Sequence, residues 1–215
     1  MTSTLVTSEG SFADVIPLNV NDYSTALTNT KWLGRCEVIH REQVTYFLDG
    51  AHTLDSMQNC RDWFRDESGH MQNGVPKDSP SNGKPYRILV FNCTGEREPM
   101  PLLAQLNQVD FDLAIFTTNS VHPEKNVNSD VANFTVTAQR EREIAANNAR
   151  SWSKLNPKMQ SLSVECISEA IDTIEARAKS FGPVHVLITG SVHLVGGFIS
   201  LIHPHYRNED GTTKL

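Results

Sequence analysis

Three short runs in the chain are almost wholly apolar: "YRILVF" (86–91), "FDLAIF" (111–116) and "VHVLIT" (184–189). A strand with one face in water alternates apolar and polar residues. A run without alternation needs cover on both faces, which in practice means a parallel sheet between layers of helix. The segments around these runs carry the other period. After Thr53, placed as an N-cap with Asp55 in the first turn, apolar residues fall at Leu54, Met57, Cys60, Trp63 and Phe64. "PMPLLAQL" starts a helix with proline near its first turn. A charged helix is predicted over about 135–155, with Ile144, Ala145, Ala149, Trp152 and Leu155 as its inner edge. "SEAIDTIEARAKS" turns Ile171 and Ile174 inward, and "GSVHLVGGFISLI" passes from the last strand into an apolar helix. Strand and helix in repeated order predict an α/β fold with a mainly parallel sheet and helices on both faces. "CEVIH" and "TYFLDG", separated by the polar "REQ", read as a hairpin.

Residues 1–30 are rich in Thr, Ser and Asn without a sustained period, and are expected to be a linker or poorly ordered lead-in to a domain over 31–215. "ESGHMQNGVPKDSPSNGKP" reads as a long polar loop, tolerable because loop closure cost grows slowly with length.

The charge balance of 19 basic and 25 acidic residues leaves no electrostatic footprint for nucleic acid. It leaves room for a small anion held by a few local donors. The four cysteines form no CxxC, so neither a disulfide framework nor a zinc knuckle is expected, and the thiols should be reduced. No apolar run approaches the roughly 18 residues of a membrane span. "MTSTLVTSEGSFADV" has neither a basic region nor an apolar core, so no targeting signal is read there.

In an open α/β sheet, ligands bind beyond the carboxyl ends of the strands. Three of those ends share one chemistry here: "DGAHT", "NCTGEREP" and "TGSVH". Each puts small residues just before a helix, which lets a ligand approach the backbone. A helix N-terminus adds unbonded N–H groups and about half a unit of positive charge. Together they suit a phosphate or carboxylate. Asp49 and His52 add side-chain function at the first of these ends. The carboxylate can accept ribose hydroxyls or stand near a metal, and the histidine can meet an anion or position an amine. Equally, Asp49 can cap backbone and His52 can be a satisfied turn residue.

Other patterns carry less. No GxGxxG exists, and in "DSPSNGKP" Pro85 stands where a P-loop needs Ser or Thr, so this is a solvated loop. His203 and His205 in "HPH" have no third ligand nearby and read as a surface turn. His122, before Pro123, reads as loop. Ser191 in "TGSVH" is no GxSxG nucleophile elbow and suits an N-cap that can also touch a ligand. Gly196 and Gly197 are expected to serve close packing. "REREIAANNAR" is expected to be a solvated helix face.

Four stretches, "KWLGRCEVI", "YFLDGAHTLDSMQNCRDWF", "ILVFNCTGEREPMPLLAQL" and "VLITGSVHLVGG", resemble in register the folylpolyglutamate synthases of the eukaryotic type, over about residues 31–203. The resemblance is to the Rossmann-like C-terminal domain of that Mur-ligase-like family. It implies an ATP- and magnesium-dependent ligase that phosphorylates the terminal γ-carboxylate of a folate and lets the amine of L-glutamate attack the acyl phosphate. By motif position, Arg35 and Asp49 would contact ATP, and His52 and Ser191 would lie toward the incoming glutamate. The family's P-loop, magnesium ligands and most contacts to reduced folates belong to an N-terminal ATPase domain whose motifs do not occur in these 215 residues. The expectation is a fragment, an isoform or one half of a split enzyme, inactive alone. It would work in cytosol or mitochondria, as the family does, without nucleic acid or membrane as partners. The competing reading is a non-catalytic binding module that keeps the fold. A zinc hydrolase built on Asp49, His52 and the HPH pair is the outsider.

Overall fold

The computed structural model describes residues 23–24, 29–30, 32–71, 84–95, 97–123 and 138–203. The chain divides into two compact units, Met1–Leu33 and Gly34–Leu215, and the second holds every element named below. The lead-in expected at 1–30, the "MQNGVPKDSPSN" part of the polar loop and His205 lie almost wholly outside the described residues.

Six strands form one sheet: β1 (Glu37–Arg41), β2 (Val44–Leu48), β3 (Tyr86–Phe91), β4 (Leu113–Phe116), β5 (Ser161–Ser163) and β6 (Val184–Thr189), in the order β1-β2-β6-β3-β4-β5. The β1–β2 pair is the expected antiparallel hairpin, and every other pairing is parallel. Among the described residues five helices follow the strands: α1 (Leu54–His70), α2 (Pro99–Leu106), α3 (Ala138–Leu155), α4 (Ile167–Phe181) and α5 (Val192–Ile202).

The register explains why the strands do not alternate. Tyr46, Val186, Ile88 and Leu113 align across the sheet and join the core built with α4 and α5. Their neighbours Phe47, Leu187, Leu89 and Ala114 align in the next row and join the core built with α1, α2 and α3. Both rows are buried, so both parities had to be apolar. The second core is aromatic: Phe64 stacks on Phe111, and Phe47 meets Phe64 edge-on. Among the described residues no helix is long and apolar enough to cross a membrane.

Three local readings change. The strand β5, "SLS", carries no apolar run, and only its pairing with Ala114–Phe116 makes it a strand. On α3 the buried residues are Ala145, Asn148, Ser151 and Trp152; of the rest of the expected inner edge, Ala149 and Leu155 pack against the core half-buried and Ile144 is half-buried, so two polar residues join the inner face. Of the glycine pair in α5, only Gly197 serves close packing: a Cβ there would lie 2.3 Å from Ile167 Cδ1, whereas nothing lies within 4 Å of one on Gly196.

The chain runs outward through β3, β4 and β5 under α2 and α3, then returns through α4 on the opposite face. The last strand, β6, therefore inserts between β2 and β3. It leaves into α5 on one face, while β2 and β3 leave into α1 and α2 on the other. Connections that part to opposite faces leave a crevice at the strand ends.

Candidate functional site

The ladder continues past the strands and stitches their ends together. The Asp49 N–H donates to Ile188 O (3.1 Å), the Gly190 N–H to Ala51 O (3.0 Å) and the Asn92 N–H to Thr189 O (3.4 Å). The three small-residue turns picked out in the sequence thus lie side by side. Two glycines let them close. Gly190 has φ +97°, and a Cβ there would fall 2.4 Å from Asn92 O. A Cβ on Gly50 would meet Val192 Cγ1 at 3.0 Å and Arg35 Nη1 at 3.1 Å.

A fourth segment, the Gly34–Cys36 loop before β1, folds over the end of β2. The Gly50 N–H donates to Gly34 O (3.0 Å). Asp49 is buried, and its Oδ2 accepts the Cys36 N–H at 2.9 Å and faces the Cys36 thiol at 3.5 Å. Its Oδ1 lies 3.6 Å from Arg35 Nη1. Burial, with the Asp49 charge and hydrogen bond behind it, pushes the Cys36 thiol up to about 11. Arg35 keeps 38% of its side chain exposed, so its guanidinium is oriented by Asp49 yet open to a ligand.

His52 follows two residues after Gly50, and its Nδ1 lies 2.7 Å from Gly50 O. A carbonyl only accepts, so Nδ1 carries the proton, and in the neutral ring Nε2 is left as an acceptor. Thr53 caps α1 through a reciprocal box with Ser56, and the Ser56 hydroxyl also accepts the His52 N–H at 3.1 Å. Ser191 caps α5, its Oγ accepting the Leu194 N–H at 3.4 Å. Arg35, Asp49, His52 and Ser191, separated in sequence, meet at one end of the sheet.

Sequence reasoning missed a second feature beside them. A groove of about 450 Å³ opens between the loop after β3 and α3, with Cys93, Gly95, Arg97, Arg140, Asn147 and Arg150 on its walls. Its three guanidiniums outnumber its one carboxylate, Glu143, which pairs with Arg140 at 3.4 Å. The floor is tied to the first site. Asn148 donates to Asn92 Oδ1 at 3.1 Å, and Asn92 donates in turn to Asn119 Oδ1 at 3.1 Å. Asn92, whose carbonyl abuts Gly190, thus links the groove's Asn148 to the Gly190–Ser191 turn. The signal was present in "REREIAANNAR", where asparagine interrupts an otherwise apolar stripe. Only the fold brings that stripe to Arg97. Among the described residues no three His, Cys, Asp or Glu side chains converge as a metal ion would need. His203 of the HPH pair lies 3.8 Å from Glu37 instead.

A mainly parallel sheet with helices on both faces and this crevice is the architecture of the Mur-ligase-like C-terminal α/β domain. The solved folylpolyglutamate synthase of Mycobacterium tuberculosis complexed with ADP and AMPPCP shares it: TM-score 0.57, 18% identity, covering 87% of this chain and 36% of that one. The sequence is 31% identical over 235 residues to the mitochondrial folylpolyglutamate synthase of Homo sapiens, and 30% identical over 199 residues to the folylpolyglutamate synthase of Neurospora crassa. Those alignments take in 83% and 84% of this chain but only 39% and 35% of the relatives. No protein-family model matches. The chain is related to the folylpolyglutamate synthases, and it spans less than half the length of the relatives it matches.

Proposed function

We propose that this chain is the part of an ATP-dependent γ-glutamyl ligase acting on reduced folates that closes over the far end of the nucleotide and presents the incoming glutamate. The observation that carries the reading is the convergence of Arg35, Asp49, His52 and the Gly190–Ser191 turn at the ends of β2 and β6, next to an arginine-lined groove.

The residues fit a nucleotide phosphate. Gly50 and Gly190 let the turns close on one another, because a side chain at either would run into Val192 and Arg35 or into Asn92 and Phe91. The first N–H groups of α5, at Val192 and His193, have no acceptor within the helix. Arg35 supplies a fixed positive fork, and Asp49 sets its orientation. Bound ATP supplies the phosphoryl group that activates the folate carboxylate. Magnesium would be held by carboxylates, and the triphosphate by a P-loop, of a partner ATPase domain, since no GxxxxGK[ST] occurs in these residues.

Glutamate is a dicarboxylate with an amine. Arg97 and Arg150 in the groove take its carboxylates, and Ser191 and the free Nε2 of His52 orient the amine from the neighbouring turns. The protein needs no nucleophile of its own. It positions the amine, neutralises charge and, on closing, excludes water from a hydrolysable acyl phosphate.

Alone with ATP, magnesium, glutamate and a reduced folate, the 215-residue chain is expected to release no ADP and lengthen no folate. Assembled with the P-loop domain, it should ligate. There Arg97→Ala or Arg150→Ala should raise the KM for glutamate roughly 10- to 100-fold, the value of one charge-assisted hydrogen bond, while sparing the KM for ATP. Arg35→Ala should do the reverse. Equal shifts in both constants for all three variants would refute the division of labour.

A further inference from the structure

The loop that carries Arg35 is held by a second carboxylate that the site has not used. Glu37, the first residue of β1, accepts the Gly34 N–H on Oε2 at 2.7 Å. Its other oxygen, Oε1, lies 3.8 Å from Nε2 of His203, the C-cap of α5. Both side chains are largely buried, 18% and 17% exposed. Gly34 itself sits against the same helix. Its φ is +71°, and a Cβ there would fall 2.6 Å from Val195 Cγ1.

The loop needs such support. Cys36 holds φ +44°, a conformation that non-glycine residues keep only where their surroundings impose it. Two contacts impose it here, on either side of Arg35: Asp49 on the Cys36 N–H and Glu37 on the Gly34 N–H. The second is anchored to α5, the helix whose first turn is capped by Ser191.

We propose that Glu37 is a positioning residue for Arg35, and that the Glu37–His203 contact ties the Arg35 loop to the helix that presents Ser191. This rests on the reading that Arg35 faces the nucleotide. One rigid element then sets the registry between the phosphate-facing and glutamate-facing sides of the cleft.

Cys36 is a local reporter of this loop, because it is exposed while Cys60, Cys93 and Cys166 are buried. Partial desolvation of its sulfur, and then Asp49, raise the pKa of its thiol, and freeing the loop would let it fall from about 11 toward the ordinary 9.0. That allows up to about a 100-fold gain in thiolate at pH 8. Iodoacetamide should alkylate Cys36 at least tenfold faster in Glu37→Ala. In Glu37→Gln, which still accepts the Gly34 N–H, the rate should return to within about threefold of the parent. In the assembled ligase, Glu37→Ala should raise the KM for ATP and leave the KM for glutamate unchanged. Unfolding midpoints establish that each variant folds. If Glu37→Ala does not fold, His203→Gln is expected to speed alkylation severalfold. Parental alkylation rates in both variants would overturn the proposal. Faster alkylation with an unchanged KM for ATP would uphold the positioning role and refute the nucleotide role of Arg35.

Discussion

The turn that brings Ser191 beside Asp49 depends on Gly190, and its replacement by alanine separates backbone geometry from chemistry. At φ +97° a non-glycine residue costs about 1–3 kcal/mol. The new methyl would also lie 2.4 Å from Asn92 O and 2.6 Å from Phe91 Cε2. Neither can yield freely, because the Asn92 N–H is bonded to Thr189 O and Phe91 is fully buried. Overpacking of this kind adds about 1–3 kcal/mol. The sum is about 4 kcal/mol, a large share of the roughly 5–15 kcal/mol that holds a domain folded. For a chain of this size the melting temperature should fall by about 8–16 °C. Gly196→Ala is the internal control. It lies in the same helix-turn unit, exposed, with nothing within 4 Å, and should stabilise by about 0.5–1 kcal/mol. Urea unfolding followed by far-UV circular dichroism reads both variants. A loss below about 1 kcal/mol for Gly190→Ala, or equal effects for the two, would show that the turn is not locked as described.

His185 is buried against Phe47 with Nδ1 unbonded, and burial, with Arg87 and His40 nearby, lowers its pKa to about 4. The unfolded chain then binds more protons between about pH 6.5 and 4, so its contribution is present above 6.5, declines as pH falls and is gone below 4. That contribution is at most about 3 kcal/mol, and His185→Phe should flatten this part of the urea-midpoint profile between pH 7 and 4. Thr53→Ala should cost about 1 kcal/mol by removing the α1 cap, and Thr53→Asn should restore most of it in the same unfolding assay.

Much of this is legible in the sequence. Met57, Cys60 and Phe64 line the buried face of α1, as their spacing required. Thr53 and Ser191 are the N-caps they were read to be. The gathering of small residues after three strands marked turns that the sheet brings side by side. Other parts were out of reach. β5 is a strand by partnership alone, and Ser161–Ser163 has neither alternation nor apolar character to declare it. Arg97 lies in a loop, and only tertiary packing brings α3 round to face it across the groove. Glu37 and His203 lie at opposite ends of the domain's sequence, and nothing local in either predicts the other.

The sequence by itself determined the layers. Apolar periodicity is a local record of which sides of a segment face the core, so fully apolar strands between amphipathic helices settle an α/β sandwich residue by residue. Strand order is not recorded that way. "VHVLIT" would suit any central position in a parallel sheet, and only tertiary packing puts it between β2 and β3. That placement brings Gly190 against Ala51 and Asn92, and with them an arginine, an aspartate, a histidine and a serine into one cleft. Such contacts follow from the closure of long loops around a common core, a property of the whole chain that no short window of residues contains.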